Sequence, residues 1–108
     1  WQQHPVERSE FELTTIIDDV PSKVILDRFI IDKFDKIWII DYKTSTPSAE
    51  QSLTSFYQQA KYHHQQQLQR YGQAVANLYN QPIELALYFP LCQGWHSWQY
   101  QRAPITLE

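Results

Sequence analysis

The stretch VILDRFIIDKFDKIWIIDYKT, running from Val24 to Thr44, decides how the rest of the chain reads. Two apolar runs, Val24 to Ile31 and Ile37 to Ile40, flank the polar tip Asp32-Lys33-Phe34-Asp35-Lys36. Both runs are rich in β-branched residues and have strand length, so the stretch predicts an antiparallel hairpin. With Lys33, Phe34 and Asp35 as the loop, Asp32 faces Lys36 and Asp27 falls opposite Asp41. Side chains alternate along a strand, so Asp27, Asp41 and Lys43 share one face. Opposed residues have Cβ atoms roughly 4.5–5.5 Å apart, and like charges placed so are destabilising. Apolar neighbours add a desolvation cost that a bound divalent cation would relieve. No Gly is available for a bulged loop, so a register one residue away stays open; it would separate the two acids.

Asp27, then Asp41-Tyr42-Lys43-Thr44, then Gln67-Leu68-Gln69-Arg70-Tyr71 resembles the PD-(D/E)XK nuclease superfamily in its RecB-type form. That form has an Asp in an apolar strand, a D-Y-K-T strand end and a helix carrying Q-x-x-x-Y. The likeness runs from about Phe11 to Phe89. It is greatest to the nuclease domain at the C-terminal end of UvrD/RecB-type helicases. The resemblance implies a restriction-endonuclease-like α/β fold: a central mixed sheet, a hairpin carrying the acidic site and a long flanking helix. It implies Mg²⁺-dependent DNA cleavage, with Mn²⁺ as a substitute, of exonuclease type, in recombination and repair in the bacterial cytoplasm. Its partners would be DNA, helicase domains of the same polypeptide and a partner subunit. The alternative is a degenerate, inactive nuclease-like module that guides DNA or serves structure.

The chain has 108 residues, enough for one domain with one core. It begins at Trp1 and contains no Met, which reads as the C-terminal part of a larger protein. No apolar run approaches the ~20 residues of a membrane span. Cys92 is the only cysteine, which excludes an internal disulfide and a four-Cys metal site. Net charge is −3, whereas DNA affinity ordinarily comes from a basic surface. A nuclease of this charge would leave the grip on DNA to other domains.

Along the chain, Trp1 to Ser9 reads as an irregular lead-in and Glu10 to Ile17 as a first strand. Asp18, Asp19 and Pro21 read as a turn. After the hairpin, Ser48 to Gln51 could cap a short helix, and a long helix runs from about Gln58 to Tyr79. Glu84 to Phe89 and Trp95 to Gln101 are the last strands. Leu26, Ile30, Trp38 and Ile40 point opposite to Ile25, Phe29, Ile37 and Ile39. A sheet apolar on both faces needs cover on both, and one helix covers only one. A further helix upstream is therefore expected.

Asp27 and Asp41 are the candidate catalytic metal ligands, with the backbone carbonyl of Tyr42 as a third. Oxygen donors in this number suit Mg²⁺, which keeps several waters. Lys43 would orient the attacking water and offset charge in the transition state. Gln67 and Tyr71 share a helix face, and the resemblance sets them beside the metal; the plainer reading makes Tyr71 core and Gln67 surface. Thr44 either bonds a phosphate or caps a backbone group. Arg28 faces away from Asp27, and either pairs with an acidic neighbour, the first reading, or contacts DNA. His63 and His64 are adjacent, so they form no metal pair; they read as ordinary helix residues, with phosphate contact as the main functional alternative. RecB-type domains carry a further His or Glu ligand on a helix before the first strand. No such helix is readable here, and neither His4 nor Glu7 is assigned that role.

Overall fold

The computed structural model describes residues 6–102. In chain order the elements are β1 (Val6–Ile17), β2 (Val20–Ile31), β3 (Ile37–Tyr42), α1 (Leu53–Ala76), β4 (Ile83–Phe89) and β5 (Gly94–Gln99). The five strands form one sheet in the order β1-β2-β3-β4-β5. Only β3 and β4 are parallel, as a crossover through a helix requires. The architecture is mixed α/β.

The β2–β3 register is the one the sequence predicts, with pairs from Ile31↔Ile37 to Arg28↔Ile40. Asp35 takes φ 62°, the left-handed conformation that Gly ordinarily supplies in such a loop. The Asp32 side chain ties the loop. It accepts from the backbone N–H of Phe34 at 2.8 Å, from that of Lys36 at 3.0 Å and from Trp38 Nε1 at 3.0 Å.

Four expectations change. The first strand begins at Val6, so the residues from Val6 to Ser9 are strand and not lead-in; Trp1 to Pro5 lie outside the described residues. The turn before β2 is Asp18-Asp19 alone, both at positive φ as a two-residue hairpin needs. Pro21 is therefore inside β2, where only β1 pairs with it and the missing N–H costs no ladder bond. The helix spans Leu53–Ala76, with Ser52 capping it by accepting from the N–H of Ser55 at 3.1 Å. No separate helix forms at Ser48 to Gln51, and Asn77 to Tyr79 are outside α1.

Strict alternation also fails in β2. Ser22, Val24 and Leu26 are buried, and so is Phe29, while Ile25 is half exposed. The phase changes where the β1–β2 ladder skips a rung between Phe11↔Leu26 and Ser9↔Arg28. Glu10, at the skipped rung, has φ 49°. Such an irregularity re-aims side chains. Leu26 thus joins Phe29 on the α1 side rather than opposing it.

The core lies between α1 and one sheet face. Ile37, Ile39, Leu85, Leu87 and Phe89 are fully buried there against Phe56, Leu68 and Val75. Gly72 lets the helix approach Tyr100, since a Cβ at Gly72 would sit 2.4 Å from the Tyr100 ring. The opposite face carries Trp38, Tyr42, Tyr88 and Trp95 with ring centroids 5.7–6.3 Å apart. Among the described residues no helix covers it. None of the described helices is long and apolar enough to cross a membrane.

Candidate active site

The site stands at the end of β3, where the parallel pair β3–β4 turns toward α1. The rung beyond Arg28↔Ile40 sets Asp27 against Asp41. Instead of a backbone pair, the N–H of Tyr42 donates to Asp27 Oδ2 at 2.9 Å. The next N–H, that of Lys43, donates to the Tyr88 carbonyl at 2.9 Å on the other side. Residue 42 therefore directs its backbone polar groups toward β2, and its carbonyl faces the Asp27 side.

Asp41 is only 5 % exposed, among apolar residues of β3 and β4. Its Oδ2 lies 2.9 Å from Lys43 Nζ as an ion pair. The pair is not aligned as a hydrogen bond, and Oδ2 is a buried oxygen with no hydrogen-bond partner. Burial first and the neighbouring Asp27 carboxylate second raise the Asp41 pKa to about 6, against the opposing pull of Lys43. A buried, under-satisfied carboxylate oxygen beside a second carboxylate is a vacancy in bonding that a cation fits.

Gln67 and Tyr71 join this group from α1. Lys43 Nζ donates to Gln67 Oε1 at 3.4 Å, and Gln67 Nε2 donates to Tyr71 Oη at 2.9 Å. Burial, followed by the charges of Asp41 and Asp27, raises the Tyr71 pKa. Five of the residues read from the sequence thus meet: Asp27, Asp41, Lys43, Gln67 and Tyr71. Thr44 is exposed at the start of the following loop, and its side chain makes no hydrogen bond among the described residues.

Arg28 pairs with Glu7 at 2.8 Å on the opposite face, so Glu7 is not at the site. His4 lies outside the described residues. Among the described residues no group of three or more His, Cys, Asp or Glu side chains gathers around one point. Two carboxylates and one carbonyl remain as donors, few enough to suit Mg²⁺.

One neighbour was underrated by the sequence reading. His64 sits close enough to Lys43 for that charge to add to burial in lowering its pKa. The signal was present as spacing, because His64, Gln67 and Tyr71 follow three- and four-residue steps along one helix face. The sequence profile of the PD-(D/E)XK nuclease superfamily matches residues 1–101. No curated protein matches the chain.

Proposed function

The chain belongs to the PD-(D/E)XK nuclease superfamily, and on that premise we propose that it is a divalent-metal-dependent DNA nuclease. The proposal extends to the RecB type, acting as an exonuclease attached to helicase domains in recombination and repair. What supports the metal is Asp41, buried beside Asp27, whose Oδ2 has an ion pair with Lys43 Nζ at 2.9 Å but no hydrogen-bond partner.

Asp27, Asp41 and the Tyr42 carbonyl would hold Mg²⁺ or Mn²⁺. Such an ion, when bound, neutralises the phosphate and lowers the pKa of a coordinated water. The protein's own groups do the rest. Lys43 keeps an ammonium at the carboxylate pair, where it can hydrogen-bond the attacking water and the oxygens that gain charge in the transition state. Gln67 fixes that ammonium from the helix side and is itself fixed by Tyr71. In the reaction the water gives up a proton as its oxygen bonds to phosphorus, the bond to the leaving oxygen breaks, and the leaving oxygen takes up a proton in return.

The test is cleavage of DNA by the full-length protein and by Asp41→Ala and Lys43→Ala. Removing one preorganised donor typically costs on the order of 10²–10³ in rate, so Lys43→Ala should lose at least that much while still binding Mn²⁺. Wild-type-like cutting by Lys43→Ala would reject the assignment of β3 as the catalytic strand. An inactive, DNA-guiding module is the second reading. It rests on the further His or Glu ligand of RecB-type domains, which no described residue supplies. It predicts no cleavage by the wild type with either Mg²⁺ or Mn²⁺.

A further inference from the structure

Beyond Lys43 the chain folds back over the first turns of α1. Between this loop and the helix is a recess of about 390 Å³, lined by Ser45, Thr46, Gln51, Gln59, His63 and His64 above the buried Phe56 and Ala60. No carboxylate lines it. Gln51 Nε2 donates to Gln59 Oε1 at 2.8 Å, and Gln51 Oε1 accepts from the N–H of Ser48 at 3.4 Å. Both amide oxygens are thereby engaged, and Gln59 keeps its NH₂ as a donor. The imidazoles of His63 and His64 and the hydroxyls of Ser45 and Thr46 make no hydrogen bond among the described residues.

A recess of hydroxyl, imidazole and amide donors without an acid suits an anion with several acceptor oxygens. Its position says which anion. Lys43 is two residues from Ser45, which lines the recess together with His64. Lys43 in turn bonds Gln67, which is one turn along α1 from His63 and His64. One turn is about 5.4 Å, a step that a single nucleotide of an extended strand can bridge.

We propose that this recess seats the phosphate adjacent to the scissile one on a single DNA strand, with His63 and His64 as its donors. The identity of the strand rests on the nuclease reading; the anion site does not. The strand would then cross from the Asp27–Asp41 pair, past Lys43, into the loop–helix recess.

The test uses the full-length protein with Ca²⁺ in place of Mg²⁺ and short single-stranded oligonucleotides, each with one phosphate replaced by a neutral methylphosphonate. In the wild type, one linkage should lose about tenfold in affinity when neutralised, the size of a lost hydrogen bond to a charged group. In His63→Ala/His64→Ala that linkage should become indifferent while the remaining profile persists. His63→Gln/His64→Gln, which keeps donors, should restore part of the effect. Identical profiles in wild type and double-Ala variant, or no measurable oligonucleotide binding by the wild type, would overturn the proposal. Exchange of Ca²⁺ for Mn²⁺ in the same samples reports cleavage separately. An altered profile without cleavage would remove the nuclease reading and keep the recess. Cleavage with an unaltered profile would do the reverse.

Discussion

Asp32 and Asp41 sit at the two ends of the same strand connection, and their surroundings send them in opposite directions. Asp32 accepts from Trp38 and two backbone N–H groups, and the Trp38 bond chiefly holds its pKa below the ordinary value. Asp41 has burial and a like charge instead, and its pKa is raised to about 6. Between its ordinary value of 3.8 and about 6, the folded protein binds a proton that the unfolded chain does not. Metal-free protein should therefore lose stability from this group as pH rises through that window, on the order of 3 kcal/mol, and the cost should be complete above it. Denaturant melts in EDTA near pH 4 and pH 7, on wild type and Asp41→Asn, check this. The variant should lack the wild type's decline, and saturating Mg²⁺ should flatten the decline in the wild type. An equal decline in both proteins would show that Asp41 does not titrate in this range.

At the scale of elements, α1 is the clamp between the site and the core. Its Gln67–Tyr71 segment is positioned by Leu68, which is fully buried, and by the close approach of Gly72 to Tyr100. Tyr100 has little freedom to retreat, because its backbone N–H is bonded to the Ile83 carbonyl at 2.9 Å. Gly72→Ala would raise helix propensity by up to about 1 kcal/mol, yet the clash with a buried ring outweighs it. Overpacking of this kind typically costs about 1–3 kcal/mol, so urea melts should show Gly72→Ala destabilised. A variant as stable as wild type would mean that Tyr100 yields without loss. The start of α1 was hard to read, because its first turn contains no acidic residue and Ser52 caps without a Glu or Gln three residues on. The skipped rung at Glu10 was equally hidden, since no Gly marks a residue at φ 49°.

For the whole molecule, charge is the deciding quantity. The net charge of −3 offers little counterion release, and the carboxylate pair adds local repulsion toward phosphate. The 108-residue chain alone should bind duplex DNA no tighter than the non-specific range of roughly 10⁻⁴–10⁻⁶ M at physiological salt. Fluorescence anisotropy with a labelled duplex measures this. A nanomolar, sequence-independent affinity would contradict the view that other parts of the machine grip the DNA. The aromatic face of Trp38, Tyr42, Tyr88 and Trp95 fits the same division, since Tyr42 and Trp95 are each more than two-fifths exposed and carry no charge. Among the described residues no helix covers this face.

The sequence alone determined the order of elements from β2 to β5 and a first-choice β2–β3 register, with a slip of one residue left open for the structure to close. Both depend on local quantities: side-chain alternation, loop length and the 3.6-residue helical period. From that register Asp27, Asp41 and Lys43 could be placed on one face, and the spacing of Gln67 and Tyr71 on one stripe of a helix. Only the tertiary structure decided that Lys43 reaches Gln67, that Asp41 Oδ2 is left without a hydrogen bond, and that His63 and His64 line a recess with the loop after Lys43. These depend on how closely α1 settles on β3. That distance is set by buried side-chain volumes and by Gly72 against Tyr100, which are contacts between residues far apart in the chain that no local pattern encodes.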